Sequence, residues 1–533
     1  MALAVRNLVD SMSLEEKVGQ VFIFTLKNLR QALNDLQLHP GGFVRIYSDA
    51  LTVAKQNLAL QSATRIPLWL AADFEQGVAP TVSGGIHAVP AMGLGATGDT
   101  AHTFAVAKAI AEEASALGVN LNFMPVVDVN TDPRNPVINI RSFGEDPHAV
   151  AQHGIAFMRG LNAGGLVACA KHFPGHGATH VDSHSGLPVI DGTVERLWNV
   201  ELLPFREAIA AGIPMIMTGH LSVPALDESG KAATLSPIIL QKVLRGELGF
   251  KGVIISDALD MGAIANAMSE EDAVVSAFNA GCDILLMPRE PRRATQALLE
   301  AVRSGRVSES RLDEAVKRIL SLKAAVGLFE KPFAHLDLTS IAARLDNDEH
   351  RGVVRAAAMA AISLVSHSGH LFPISPDASL GIMIVGNDDP HPRQIFAEPR
   401  TFADHCAALA SHVRVVDCTE FGKNTEASDR IQRQVDQLVC ESDVLILSAY
   451  VRVRIGSGSV ELPHIYEPLL NRFLSSNSRK CVVSFGHPYL FRTFRGVDAC
   501  VCAYGNSDLI QECTARLMFG HGQFMGRLPV SLD

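Results

Sequence analysis

Along the first two-thirds of the chain, short β-rich apolar runs alternate with longer segments of helical period. That alternation marks βα units: a parallel strand covered on both faces reads as a continuous apolar run, and its crossover is usually a helix. Eight such runs occur: "VGQVFIF" from Val18, "GGFVRIY" from Gly41, "PLWLAADF" from Pro67, "NLNFMPVVDV" from Asn120, "LVACAKHF" from Leu166, "MIMTGH" from Met215, "GVIISDAL" from Gly252 and "CDILLMP" from Cys282. Helical stretches, such as 103–117 and 194–211, lie between them. Eight is the number at which parallel βα units close on themselves, so the pattern predicts an α/β fold with a (β/α)8 TIM barrel over residues 1–335.

Around "FEKPFAHLDL" the periodicity weakens, and residues 336–350 read as a linker. New apolar runs follow: "GIMIVG", "VRVVDC", "DVLILSAY", "CVVSFG" and "ACVCAY". Five or six runs with helices between them predict a second α/β domain over 351–533, an open layered αβα sandwich.

Composition narrows the function classes. A chain of 533 residues exceeds what one core supports, which agrees with two domains. The 47% hydrophobic and 19% charged fractions are those of an ordinary globular protein. A net charge of −10 with no basic stripe argues against a nucleic-acid partner. No uninterrupted run of about 18 apolar residues occurs, so no membrane span is expected. The N-terminal "MALAVRNLVD" runs into charged "SMSLEEKVGQ" too early for a secretory segment, and a cytoplasmic location is the expectation. Nine scattered cysteines, an odd number with no C-x-x-C pair, fit reduced buried thiols.

In a barrel of this kind, chemistry gathers at the C-terminal ends of the strands. Asp73 ends the third run, Lys171 and His172 the fifth, His220 the sixth and Asp257 the seventh, while Arg141 follows the fourth in "NIRSFGED". After the fifth run comes "KHFPGHGATHVDSHSGLP", with histidines at 172, 176, 180 and 184. An i, i+4 spacing on a helix would suggest zinc, but Pro174, Gly175 and Gly177 break any helix, so no shared face is guaranteed. Three readings stand for this loop: a metal site, histidines held for local order, or a proton-transfer device. For the last, Asp182 and His184 project the same way in an extended segment, and the carboxylate accepts the imidazole N–H. Asp257, rigidly held after "GVIIS", suits nucleophilic attack on a carbon centre. Asp260, one turn on, competes with it and is expected at or inside the following helix.

At these residues the chain resembles glycoside hydrolase family 3, and within it the bacterial β-N-acetylglucosaminidases. The resemblance rests on "MSLEEKVGQ", "NFMPVVDVN", "NPVINIRSFGEDP", "KHFPGHGATHVDSHSGLP", "ELLPFREAI", "MTGHLSVPALD", "GFKGVIISDALDMGAI", "AGCDILLMP" and the closing "GRLPVSL". It implies a retaining β-N-acetylhexosaminidase with Asp257 as nucleophile and Asp182/His184 as acid/base. It also implies that Asp73, Arg141, Lys171 and His172 hold the hydroxyls and acetamido group of a terminal sugar. A small carbohydrate is then the partner, with short glycans such as peptidoglycan fragments as the source, and neither metal nor cofactor is expected. His176 and His180 acquire no role in that scheme. One departure is "DFEQGVAP", where Gln76 replaces the expected glycine and the basic residue usual just beyond is missing. Two alternatives stay within the family: a β-glucosidase with a donor such as Glu461 near "GSGSVELP", and a phosphorylase, since a histidine acid/base would not repel phosphate. From another class, the chain could be a catalytically inactive sugar-binding protein, because fold alone implies no activity.

Overall fold

The computed structural model describes residues 2–179, 183, 186–330, 337–369, 371–387, 400–451 and 460–532. Its first sheet contains eight strands: β1 (Phe22–Leu26), β2 (Gly42–Arg45), β3 (Trp69–Ala72), β4 (Leu121–Asn122), β5 (Val167–Phe173), β6 (Met215–Thr218), β7 (Val253–Ile255) and β8 (Leu285–Leu286). They pair in parallel in the order β8-β1-β2-β3-β4-β5-β6-β7. A parallel bridge between Ile255 and Ile284 brings β7 beside the residue preceding β8, which completes the ring. This is the barrel that the eight apolar runs predict.

The differences from the apolar runs are local and have local causes. The first run begins too early, since Val18–Gln20 close a helix, Leu14–Gln20. A reciprocal capping box between Ser13 and Glu16 starts that helix, satisfying two otherwise unpaired backbone donors. The fourth run pairs only briefly at Leu121–Asn122, then returns to β5 through a bridge between Val126 and Lys171. The helical stretch 194–211 is two helices, Val194–Asn199 and Leu203–Ala210, with Pro204 in the first turn of the second, where its missing N–H costs nothing.

Among these residues, the N-terminal rim of the barrel carries buried charge. Asp283 accepts from Arg245 (2.6 Å), Arg318 (3.0 Å), Arg311 (3.2 Å) and the Ile254 N–H (3.0 Å). Lys323, on the helix Glu309–Ala325, donates to Gln20 Oε1 (3.0 Å) and to the Gly41 carbonyl (2.9 Å). Placed away from the strand C-termini, this network acts on stability.

The chain divides into two compact units, and the division is not a single cut. Residues 1–87, 103–135 and 146–351 form the barrel unit; 88–102, 136–145 and 352–533 form the second. The two short excursions are held by packing that their apolar pattern did not reveal: Met92, Ala96 and Ile140 enter the second unit's core. Gly95 lies against the Phe143 carbonyl, where a Cβ would sit 1.8 Å from the oxygen.

The second unit is built on six strands: β9 (Ser363–His367), β10 (Ser379–Gly386), β11 (His412–Asp417), β12 (Val444–Tyr450), β13 (Arg479–Ser484) and β14 (Ala499–Cys502). Their order is β9-β14-β13-β12-β10-β11, all parallel except the edge strand β9, which runs antiparallel to β14. The five parallel strands thus follow the 2-1-3-4-5 order of doubly wound sheets. The antiparallel edge strand is an element the sequence pattern left out.

Candidate active site

Strand β5 delivers two polar residues, Lys171 and His172, into the C-terminal end of the barrel. Lys171 is almost fully buried, with 4% of its side chain exposed, and its ammonium lies 2.7 Å from Asp73 Oδ1 and 2.6 Å from Glu75 Oε1. Two carboxylates neutralise one buried cation, as the cost of burying a charge demands. Asp73 keeps 53% of its side chain exposed, so it remains open to hydroxyl donors from solvent. Charge-assisted bonds of this type contribute about 1.5 to 3 kcal/mol each.

His172 is held by a residue that sequence reasoning missed. Asp128, fully buried after β4, receives the His172 ring Nδ1 at 2.7 Å, the His172 N–H at 3.2 Å and the His176 N–H at 2.6 Å. Burial pushes the Asp128 carboxyl up, but His172, His176 and these hydrogen bonds outweigh it and hold the group below the usual carboxylate range. An ionised Asp128 accepts only, so the hydrogen of the His172–Asp128 bond sits on Nδ1 and the ring orientation is set. The only sequence signal for Asp128 was its place in "NFMPVVDVN"; Glu75 had a similar weak signal in "DFEQG".

Asp257 stands two residues past the last residue of β7. Its N–H donates to the Thr218 carbonyl (3.2 Å), and its Oδ1 accepts from the Ala258 N–H (2.8 Å). The preceding Ser256 ties β7 to β8, its N–H on the Ile284 carbonyl (2.9 Å) and its Oγ accepting from Leu286 (3.0 Å). Burial raises the Asp257 pKa; His220, His172, the Ala258 N–H and Lys171 together overcome it, and the net direction is down. The carboxylate is therefore ionised at neutral pH, and residues from strand ends β5 and β6 act on it electrostatically. His220 is itself fixed: its Nε2 is 2.9 Å from the Ala258 carbonyl, an acceptor, so Nε2 carries hydrogen, while Nδ1 lies 2.8 Å from Thr234 Oγ1. Asp260 sits in the turn ahead of the helix Gly262–Ala265, not inside it.

Arg141 belongs to the second unit, in the short turn Asn139–Arg141, and its guanidinium donates to the Val137 carbonyl (3.0 Å). Glu461, the alternative donor, is an exposed residue of the same unit. Asp182 and His184, the proposed acid/base pair, lie outside the described residues, as does His180. His176 is not a solvated loop histidine: it is buried, with Nδ1 2.7 Å from Thr179 Oγ1 and Nε2 3.2 Å from Ser183 Oγ.

Among the described residues, no group of three or more His, Cys, Asp or Glu is arranged to hold a metal ion, and no helix is long and apolar enough to cross a membrane. The charged residues that do converge, an ionised carboxylate beside histidines and a neutralised lysine at a barrel mouth, suit displacement at a carbon centre bearing hydroxyl-rich neighbours.

Residues 6–322 match the glycosyl hydrolase family 3 N terminal domain. The chain is 30% identical to a β-N-acetylglucosaminidase/β-glucosidase of Cellulomonas fimi, over 99% of this chain and 95% of that one. It is 38% identical to β-hexosaminidase A of Pseudoalteromonas piscicida over 63% of this chain; the match spans only 59% of that relative. A solved glycoside hydrolase family 3 β-N-acetylglucosaminidase from Paenibacillus sp. str. FPU-7 superposes with a TM-score of 0.88 at 29% identity, covering 98% of this chain and 99% of the other.

Proposed function

We propose that this chain, which belongs to glycosyl hydrolase family 3, is a retaining exo-β-N-acetylglucosaminidase acting on terminal β-linked N-acetylglucosamine of short glycans, peptidoglycan fragments among them. The observation that carries the reading is the ionised Asp257 at the end of β7, under the field of His220, His172 and Lys171. In the first step an Asp257 oxygen attacks the anomeric carbon as the bond to the glycosidic oxygen breaks, and His184, supported by Asp182, gives its proton to that oxygen. In the second, His184 takes a proton from water, the water oxygen attacks the same carbon, and Asp257 leaves as a carboxylate. Two inversions at one carbon give retention. In this reading Asp73, Arg141, Lys171 and His172 hold the sugar hydroxyls and acetamido group.

The names of the relatives support the substrate class, and the Cellulomonas fimi relative carries both activities in its name. That observation favours a second reading, hydrolysis of β-glucosides by the same residues. Steady-state rates on aryl β-N-acetylglucosaminides against aryl β-glucosides separate the two: kcat/KM should favour the acetamido sugar, and a strong glucoside preference would reverse the assignment. Running the same reaction with and without inorganic phosphate, with sugar 1-phosphate as the diagnostic product, distinguishes hydrolysis from phosphorolysis.

A further inference from the structure

We propose that Thr234 is a positioning residue for Asp257: its buried hydroxyl holds the end of β6 in the arrangement that fixes the nucleophile's backbone. The inference rests on the reading above, in which Asp257 attacks the anomeric carbon. The Asp257 N–H is taken by the carbonyl of Thr218, the last residue of β6 (3.2 Å). The peptide between Ala258 and Leu259 is held at both ends, its carbonyl by His220 Nε2 (2.9 Å) and its N–H by the Leu286 carbonyl (3.0 Å). The Ala258 N–H in turn reaches Asp257 Oδ1 (2.8 Å). The rotation of the carboxylate therefore depends on a backbone pinned from β6 on one side and β8 on the other.

The restraints from the β6 side both lead to Thr234. Its Oγ1 lies 2.8 Å from Thr218 Oγ1 and 2.8 Å from His220 Nδ1, and it donates to the Gly219 carbonyl at 3.2 Å. A hydroxyl offers one hydrogen and two lone pairs, so these contacts use its whole capacity. Three successive residues thus close on one oxygen. Thr218, His220 and Thr234 are all fully buried, where a polar group deprived of its partner has no water to replace it. Thr234 is itself held in the short turn Ala233–Leu235, with the Ala233 N–H on the Leu221 carbonyl (2.8 Å) and the Cys282 thiol donating to the Thr234 carbonyl (3.8 Å). Removing its hydroxyl frees the His220 ring and the Thr218 side chain together, and through them the peptides on either side of Asp257. Attack requires the carboxylate in line with the bond that breaks, and a displacement of about 1 Å costs on the order of 10²-fold.

The test uses the full chain and three readouts: the rate at which a slow fluorinated glycoside becomes attached to Asp257, followed by mass spectrometry; kcat/KM on phenyl and 2,4-dinitrophenyl β-N-acetylglucosaminides; and the inhibition constant of free N-acetylglucosamine. Thr234→Val keeps the shape and removes the hydroxyl, whereas Thr234→Ser keeps the hydroxyl and removes the methyl. Thr234→Val should slow trapping and lower kcat/KM on both glycosides by about tenfold or more, with the inhibition constant changed by under about threefold. Thr234→Ser should recover most of the rate, and Thr234→Val/His220→Gln should lose less than the product of the two single losses. A side chain that only fills space would leave Thr234→Val at native rates or give Thr234→Ser an equal loss, and a loosened barrel mouth would weaken sugar binding as much as attack. Any of these results, with the native adduct on Asp257, overturns this inference alone. An adduct on another residue of the native enzyme overturns the nucleophile reading, and this inference with it. If Thr234→Val does not fold, Thr218→Val, which cuts one bond to the same hydroxyl, decides: slower trapping with unchanged sugar binding supports the inference, and native trapping overturns it.

Discussion

Lys323 offers a prediction whose size follows from the structure. Its ammonium is fully buried on the barrel's N-terminal rim, bonded to Gln20 Oε1 and the Gly41 carbonyl and 5.9 Å from the Trp69 ring. Burial pushes it from the ordinary 10.5 down to about 7. Below pH 7 the folded and unfolded chains both hold the proton, and folding carries the full cost of burying it. Between about 7 and 10.5 the unfolded chain keeps a proton that the folded chain has released, so stability climbs with pH. Above 10.5 both are neutral and the cost is gone. At about 1.4 kcal/mol per pH unit, the whole displacement is on the order of 5 kcal/mol.

Lys323→Met removes this titration. It also leaves Gln20 Oε1 without the Lys323 donor, a loss of about 1 to 3 kcal/mol that does not vary with pH, while the Gly41 carbonyl keeps the Trp69 N–H (2.9 Å). The stability of the variant minus that of the native chain should therefore fall by about 3 kcal/mol between pH 7.5 and 9.5, and groups titrating alike in both proteins cancel. The assay is urea unfolding followed by tryptophan fluorescence. Both tryptophans of the chain, Trp69 and Trp198, lie in the barrel unit, so the signal reports that unit. A difference that stays flat across this range would refute the assignment of a displaced proton to Lys323.

Two further predictions concern the site. Asp257→Ala should lower turnover by about 10⁴-fold or more on both aryl glycosides, and mass spectrometry of native enzyme treated with a slow fluorinated glycoside should find the adduct on Asp257; an adduct on another residue removes the nucleophile assignment. Asp128→Asn should cost about 10²-fold in kcat/KM, because one carboxylate orients both His172 and His176; native rates in this variant would mean that neither ring depends on it.

How far the sequence reached depends on the distance over which each feature is encoded. The eight barrel strands and most of the second sheet were legible because apolar runs and helical periods are local. The antiparallel β9 was missed: in "SLVSH" only Ser363 is buried, so the segment lacks the apolar run that marks a buried strand. The break in 194–211 was missed although Pro204 signalled it. Within the site, the strand-end positions of Asp73, Lys171, His172 and Asp257 could be read from where the apolar runs stop. Their partners could not. Glu75, Asp128 and Ser183 become meaningful only through contacts with Lys171, His172 and His176.

By itself, then, the order of residues determined the period of the elements, the number of barrel strands, and which polar side chains stand at strand ends, since each follows from neighbours a few positions apart. Tertiary structure decided which of them meet: Asp128 lies 44 residues from His172 and Asp73 lies 98 from Lys171, separations that the side-by-side parallel pairing of β3, β4 and β5 brings to hydrogen-bond distance. It also decided that 88–102 and 136–145 join the second unit, because burial of Met92, Ala96 and Ile140 depends on a core supplied by strands hundreds of residues later.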